Sequence, residues 1–266
     1  MTDEAPVPAT DAKPTARDPF VWFAGGRGGA IAVAVSVVAL GLSAAPYFNG
    51  GDFGGKVRAY LLANPQVMTE VQAAFESRAE SARVDTINAA VAANAALMAP
   101  DPRDPAFGPA DAKVTVVEFF DYRCPGCKAV SEDYLALIRA NPDVRFVFKE
   151  WPILDRGDDT TSNYAARAAL AAHRQGKYLA VHQALMATSG LTREAVDAVL
   201  AANGVAMDQA AAVIRDTGTD RLLADTHTIG ATLGLVGTPT FLINGKTTAS
   251  INPQEVAAAI AAAKAG

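Results

Sequence analysis

The chain has 266 residues, of which 50% are hydrophobic and 19% are charged, and its formal net charge is −5. Such a composition supports a folded core. The sequence has a mild net negative charge and no basic stripe of the kind that nucleic-acid-binding proteins carry, so nucleic acid is excluded as a partner. With only 2 cysteines the sequence has too few for a disulfide scaffold or a four-ligand zinc site, and we predict no metal and no cofactor.

The N-terminal region divides into a polar tail and an apolar segment. Residues 1–27 are rich in Pro, Ala and Asp without an apolar period, which predicts a disordered tail. Residues 28–46 carry no charge. As a helix they would span about 28 Å, close to the roughly 30 Å of a bilayer's hydrocarbon core. We interpret them as a transmembrane anchor; the alternative is a signal segment cleaved after Ser43-Ala44-Ala45.

Residues 50–99 are predicted to form a helical stalk. Asn64 and Pro65 are a good N-cap and first-turn pair, and no Gly or Pro follows until Pro100. A helix of about 34 residues cannot bury its own apolar stripe, so residues 52–98 are expected to pack on the main domain or on copies of this chain, as a homo-oligomer. The stripe consists of Val67, Val71, Phe75, Ala82, Ile87 and Val91. Residues 100–112, rich in proline, are predicted to be a linker.

Residues 113–266 have the alternating pattern of an α/β domain. The apolar run from Val114 to Phe120 predicts a central buried strand, and a helix follows as far as about Ala140. Residues 144–149 alternate and predict a second strand, while residues 240–245 predict a third that pairs with 246–249 as a hairpin. Residues from about 159 to 235 have helical patterns, and Asn252, Pro253 and Glu255 begin the last helix with a capping-box pattern.

The two cysteines form the motif Cys124-Pro125-Gly126-Cys127, which follows the buried strand and opens a helix. The first turn of a helix offers unpaired N–H groups and a positive dipole end, which favour the thiolate that attacks disulfides. Pro125 suits this turn because its missing N–H costs nothing there, and Gly126 adds no charge and no side-chain donor. We therefore predict that Cys124 is the reactive thiol and that Cys127, one turn deeper, resolves mixed disulfides.

Glu118 lies six residues before Cys124 on the apolar strand. A desolvated glutamate has a raised pKa and could act as a base near neutrality. The alternative is a glutamate facing water at a strand edge, but its apolar neighbours favour burial. The three histidines, His173, His182 and His227, are interpreted as helix-surface or satisfied core residues, and Tyr122 and Phe120 as packing residues.

The stretches VVEFFDYRCPGCK, FVFKEWPIL and GTPTFLING resemble the DsbA family of thioredoxin-fold proteins, over residues 107–266. The resemblance implies a thioredoxin-like fold with an all-helical insertion and a thiol–disulfide oxidoreductase activity. It also implies that Thr238 and Pro239 form a cis-proline loop that binds substrate beside the cysteines. In the family, the carboxylate matching Glu118 relays protons to the resolving cysteine, and a lysine matching Lys149 lies near that carboxylate.

The stretch DFGGKVRAYLLANPQVM resembles the N-terminal region of oligomeric DsbA relatives, including the suppressor-of-copper-sensitivity C proteins. We therefore expect an oxidase or isomerase that acts on unfolded or mispaired exported proteins, together with a membrane redox partner. Because disulfides persist outside the cytoplasm, the catalytic domain is expected in the periplasm, anchored to the inner membrane, or soluble there after signal cleavage.

Three other functions remain open at this point. Two thiolates can hold Cu(I), although no further Cys or Met flanks the pair. A cysteine hydrolase is disfavoured, since a resolving Cys is present and no plausible His motif accompanies it. A non-catalytic oligomeric scaffold would not need the reactive pair.

Overall fold

A computed structural model describes residues 33–40 and 52–266. The predicted tail over residues 1–27 lies outside these residues, as does most of the apolar segment 28–46, of which residues 33–40 are helical. No helix within the described ranges is long and apolar enough to cross a membrane. The chain groups into two compact units, one ending at Gln72 and one beginning at Ala73.

The described part of the first unit is helical. Helix α1 (Phe53–Ala63) begins at an N-cap in which Asp52 accepts a hydrogen bond from the Gly55 N–H over 2.6 Å. Helix α2 (Gln66–Ala93) starts just after Asn64-Pro65, as predicted, and continues into the second unit. Large apolar side chains are exposed on these helices, namely Phe53, Tyr60, Leu62, Met68, Val71 and Phe75.

The end of α2 differs from the predicted continuous stalk. The α-helix ends at Ala93 and a 3₁₀ turn, Ala95–Met98, follows it. Ile87 and Val91 are buried in one cluster with Val117 and Leu242 of the sheet. The last part of the predicted stalk is therefore a component of the second unit, and its apolar residues have a partner within this chain.

The second unit is built on a five-stranded sheet in the order β1-β3-β2-β4-β5. The strands are β1 (Ala106–Phe107), β2 (Thr115–Phe120), β3 (Arg145–Glu150), β4 (Thr240–Ile243) and β5 (Lys246–Thr247). The central pair, β2 and β3, is parallel and is connected by helix α3 (Pro125–Ala140), whereas β4 runs antiparallel to β2. This is the thioredoxin-like arrangement, with β2 at the centre as the apolar run predicted.

Helices cover both faces of the sheet. One face packs against α3 and α9 (Pro253–Ala265), and the other packs against the end of α2. The predicted insertion lies between β3 and β4. It comprises α4 (Thr161–His173), α5 (Tyr178–Ala187), α6 (Arg193–Ala202), α7 (Met207–Ile214) and α8 (Thr217–Thr232). Asn244 and Gly245 form the turn between β4 and β5 with φ of 47° and 77°, as a two-residue hairpin turn requires.

The predicted linker over residues 100–112 is partly ordered into the sheet. Strand β1 pairs antiparallel with β3 through Ala106 and Phe107. Just before it, buried Asp104 forms an ion pair of 2.5 Å with Lys149 on β3. Proline content predicted a linker, but proline is also compatible with an edge strand, and here Ala106 and Phe107 form one beside β3.

Candidate active site

Cys124 is the N-cap residue of α3, where the chain turns from β2 into the helix. Its backbone N–H donates to the Asp121 carbonyl over 3.0 Å, which closes the turn between strand and helix. Its sulfur accepts the Cys127 N–H over 3.5 Å and, as a thiol, donates to the Thr238 carbonyl over 3.0 Å. The first sulfur therefore lies at the positive end of α3, as the sequence predicted.

The two thiols are free and have opposite acidities. Hydrogen bonds from the Cys127 thiol, the Thr238 side chain and the N–H groups of Cys127 and Gly126 outweigh burial and lower the pKa of Cys124 to about 5. Cys127 is completely buried, and burial raises the pKa of its thiol far above the ordinary value. At neutral pH Cys124 is therefore a thiolate while Cys127 keeps its proton.

Thr238 and Pro239 lie directly beside Cys124, and the peptide bond between them is cis. A Cβ placed on Gly126 would lie 3.3 Å from Cδ of Pro239, 3.5 Å from Cδ1 of Ile251 and 3.7 Å from the Cys124 sulfur. The glycine in the motif therefore lets the proline loop approach the cysteines closely. The predicted active-site dipeptide and the predicted substrate-binding loop are brought together here.

Glu118 lies on the face of β2 that packs against α3, and it is 2% exposed. Burial, and then the charge on Cys124, raise the pKa of Glu118 to about 8. Its Oε2 is buried without a hydrogen-bond partner. Glu118 is therefore buried, as its apolar neighbours predicted, and does not face water at a strand edge. Its carboxyl group titrates near neutrality.

The prediction that Lys149 lies near Glu118 is wrong. In the register of the parallel pair, Glu118 is level with Phe148, and Lys149 is level with Phe119. Since successive side chains point to opposite faces, Lys149 lies on the far side of the sheet, where it pairs with Asp104.

A buried polar cluster that the sequence did not predict surrounds Glu150, at the end of β3. Glu150 Oε1 accepts hydrogen bonds from the hydroxyl groups of Tyr178, over 2.8 Å, and Tyr122, over 3.1 Å. The Tyr122 hydroxyl also lies 3.1 Å from Nδ1 of His182. His182 is buried and bonded to Tyr122, which is the core alternative of the two expected for the histidines, and burial lowers its pKa to about 3. Tyr122 packs as predicted but also carries this hydrogen bond.

Lys128, directly after Cys127, was also missed. Its ammonium group donates to the carbonyl oxygens of Leu185, Met186 and Thr188 at the end of α5, over 2.8 to 3.1 Å. A cation at this position neutralises the negative end of α5 and ties the insertion to the active-site helix. For metals, no group of three or more His, Cys, Asp or Glu side chains converges within residues 33–40 and 52–266.

Two family models match the chain. Residues 101–262 match the model described as Thioredoxin, and residues 52–82 match the one described as Copper resistance protein ScsC N-terminal domain. The first match covers the sheet and all the residues of the candidate site. The second covers α1 and the first half of α2, so the predicted resemblance to the suppressor-of-copper-sensitivity C branch is confirmed.

Several solved structures share the fold. A thioredoxin-like oxidoreductase from Silicibacter pomeroyi DSS-3 is 36% identical, over 62% of this chain and 95% of that chain, with a TM-score of 0.57. BcfH from Salmonella enterica Typhimurium is 26% identical, over 86% and 99% of the two chains, with a TM-score of 0.61. The catalytic domain of Proteus mirabilis ScsC is 22% identical, over 67% and 99%, with a TM-score of 0.59, which shows the shared fold alone.

Among curated proteins, the Na(+)/H(+) antiporter NhaA 1 of Salinispora arenicola is 35% identical over 176 residues. The match includes 64% of this chain but 26% of the antiporter, so this chain spans about a quarter of that relative's length. The similarity therefore concerns one part of that protein. Taken with the model that matches residues 101–262, these findings establish that the chain belongs to the thioredoxin family and that its residues 52–82 are similar to the N-terminal domain of ScsC.

Proposed function

We propose that this protein catalyses thiol–disulfide exchange on exported proteins, with Cys124 as the attacking thiolate and Cys127 as the resolving thiol. The observation that carries the proposal is the opposite acidity of two neighbouring thiols, one lowered to a pKa of about 5 and the other raised by burial. A thiolate is the attacking species, and a deep, protonated second thiol does not compete with it.

The exchange proceeds in two displacements. The Cys124 thiolate attacks one sulfur of a substrate disulfide, so that a bond to Cys124 forms and the other substrate sulfur leaves as a thiolate. Cys127 then gives its proton to Glu118 and attacks the Cys124 sulfur. The Cys124–Cys127 disulfide forms, the second substrate thiolate leaves, and the enzyme has given one electron pair to the substrate. The reverse sequence oxidises a substrate dithiol.

Substrate binding is proposed at Thr238 and Pro239. The Thr238 carbonyl lies 3.0 Å from the Cys124 sulfur, so an extended peptide that pairs with this backbone would present its own sulfur to Cys124. Val236 is 81% exposed and Ile251 is 42% exposed near this loop. Backbone pairing with apolar surroundings suits an unfolded or mispaired polypeptide better than a small polar molecule.

Trapping of mixed disulfides tests the proposal. Reduced Cys127→Ala protein mixed with a scrambled, disulfide-containing protein should accumulate a covalent complex that dithiothreitol releases. The Cys124→Ala protein should form none, although it retains one cysteine. Trapping by Cys124→Ala alone, or by neither variant, would refute the assignment.

The predictions for oligomeric state, location and redox direction belong to the same proposal. We propose that the exposed apolar residues of α1 and of early α2 hold the chain in a homo-oligomer, which raises the local concentration of reactive pairs and favours isomerisation. The periplasm is the proposed location, with residues 28–46 as an anchor or a cleaved signal, and with a membrane redox partner. The reduction potential of the Cys124–Cys127 pair separates an oxidase from an isomerase or a reductase.

Binding of Cu(I) by the two thiolates is a second candidate, supported by the match of residues 52–82 to a domain of a copper resistance protein. Titration of the reduced protein with Cu(I) against a competing chelator tests it. Tight Cu(I) binding that is lost in both single cysteine variants would support copper handling. If the protein catalyses thiol–disulfide exchange but does not take Cu(I) from the chelator, only the oxidoreductase proposal remains.

A further inference from the structure

Tyr134, on α3, packs against the part of the sheet that contains Glu118. In the sheet, Glu118 is level with Phe148 on one neighbouring strand and with Phe241 on the other. The Tyr134 ring packs against both of these phenylalanines, with centroid distances of 5.8 Å to Phe148 and 5.0 Å to Phe241. The ring also packs against Phe146, which is level with Val116, at 5.8 Å, so it covers the strip of sheet that runs from Val116 to Glu118.

Tyr134 and Glu118 each have a buried polar atom without a partner. The Tyr134 hydroxyl and Glu118 Oε2 are both inaccessible to solvent and neither makes a hydrogen bond. Buried polar groups are almost always paired, and each exception needs an explanation. One atom is a donor, the other is an acceptor, and the Glu118 charge contributes to a raised pKa of Tyr134, after burial.

The other polar groups around Glu118 are already engaged. Tyr122 and Tyr178 donate to Glu150, and His182 bonds to Tyr122. Lys128 is bound to the carbonyl groups at the end of α5. The titratable groups that face this space are Cys124, Cys127 and Tyr134 from α3, Tyr122 after β2, Glu150 from β3, and Tyr178 and His182 from α5. Of these described side chains, Tyr134 is the one with an uncommitted hydroxyl.

We propose that Tyr134 is a positioning residue that donates a hydrogen bond to the Glu118 carboxylate through one water molecule, and so sets the pH at which Glu118 takes the proton of Cys127. This inference rests on the proposed function, because it assumes that Glu118 is the base in the second displacement. Tyr134 itself contacts neither cysteine in the reaction; it acts through Glu118.

The direction of the effect follows from the charge. A donor to a carboxylate favours the ionised form, so loss of the Tyr134 hydroxyl raises the pKa of Glu118. Release of mixed disulfides requires ionised Glu118, so the release rate falls as the pH drops through the pKa of Glu118. Loss of the hydroxyl therefore moves this fall in rate, the acid limb of the pH profile, to higher pH. A hydrogen bond to a charged group moves such a midpoint by about one pH unit, which slows release about tenfold below the midpoint.

The test compares Tyr134→Phe with Tyr178→Phe, in the full chain. Both variants remove one hydroxyl from the same core, but the Tyr178 hydroxyl is bound to Glu150. We expect Tyr134→Phe to move the midpoint of the release rate upward by about one pH unit with the high-pH plateau retained. Tyr178→Phe should leave the midpoint close to the wild-type position. Thermal unfolding of each variant verifies that it folds, and the infrared carboxyl band of Glu118, titrated with pH, provides a readout independent of turnover.

The Glu118→Gln variant separates the role of Tyr134 from the role of Glu118 as the base. If this variant removes the acid limb and Tyr134→Phe does not shift it, the inference about Tyr134 is overturned and Glu118 remains the base. If the acid limb survives in Glu118→Gln, Glu118 is not the base and the inference falls with that role, while trapping by Cys124 still tests the exchange function. Equal shifts in Tyr134→Phe and Tyr178→Phe would also overturn the inference. In the Glu118→Gln background, Tyr134→Phe should change nothing further.

Discussion

At the residue scale, the difference between the two sulfur atoms comes from where each lies on α3. Cys124 is the N-cap and receives hydrogen bonds from the Cys127 thiol and from backbone N–H groups, whereas Cys127 is one turn further and has lost its contact with water. A thiol of low pKa is also a good leaving group, so a disulfide to Cys124 is readily attacked. The same geometry therefore supports both formation and release of the mixed disulfide.

Glu118→Gln should stabilise the fold above pH 5. The folded pKa of Glu118 is about 8, well above the ordinary 4.5, so the native state holds this proton after the unfolded state has lost it. The contribution of protonated Glu118 to the free energy of unfolding is complete below the pKa that Glu118 has in the unfolded chain. It is lost as pH rises toward 8, at about 1.4 kcal/mol per pH unit. Urea unfolding from pH 4 to 8 measures the difference between the two proteins. A constant difference across this range would contradict the raised pKa.

Some residues of the site were predictable from the sequence because their signals are local. The cysteine motif, its strand and the Thr238-Pro239 loop each fall within a short stretch of characteristic residues. Glu150 and Lys149 were not predictable, because an alternating strand implies one face in water. In the structure α2 covers one face and the helices α3 and α5 cover the other, so both charged residues are buried. That covering depends on contacts between distant segments, which a local pattern does not contain.

At the element scale, α8 is held against the sheet through Gly230. A Cβ at this position would lie 2.6 Å from Cζ2 and 2.7 Å from Cε2 of buried Trp151, which follows β3. We expect Gly230→Ala to destabilise the protein by about 1 to 2 kcal/mol, because overpacking outweighs the roughly 1 kcal/mol that alanine gains in a helix.

Urea unfolding measures this cost, and Trp151→Phe is the matched background because it removes the ring atoms that a new Cβ would meet. The penalty of Gly230→Ala should largely disappear there, as expected for two residues in contact. A stabilising effect of Gly230→Ala in the wild-type protein would show that α8 can move away from Trp151.

The boundary elements show why segment limits were harder to predict than segment types. The stalk was predicted as helix and is helix, but Ile87 and Val91 pack on the sheet beside Val117. The proline-rich stretch that follows was predicted as a linker, yet Ala106 and Phe107 pair with β3. Both differences arise because the sheet offers an apolar face and an open edge, and neighbouring chain segments cover them.

At the scale of the whole molecule, the described apolar residues exposed on α1 and α2 are concentrated in the segment from Phe53 to Phe75. Isolated helices with such surfaces are marginal in water, and association is the usual way to cover them. We expect a chain beginning at Asp52 to sediment as an oligomer, and a chain beginning at Ala73 to sediment as a monomer. The shorter chain should keep dithiol exchange and lose most isomerase activity on a scrambled protein.

Sedimentation velocity at micromolar concentration distinguishes the two lengths. If the longer chain is also monomeric, α1 and α2 serve only as a spacer, and the isomerase proposal loses its physical basis. If the shorter chain is oligomeric, the interface lies in the second unit, and the exposed residues of α1 need another explanation.

The opposite acidities of the two thiols can be tested by alkylating the reduced, full-length protein with iodoacetamide as a function of pH and identifying the labelled cysteine by mass spectrometry. Labelling is expected at Cys124 alone, with a midpoint near the pKa of about 5 to which hydrogen bonds from the Cys127 thiol, the Thr238 side chain and the backbone N–H groups lower this cysteine. Labelling of Cys127 first, or a midpoint at the ordinary cysteine value of about 8.5, would contradict this expectation.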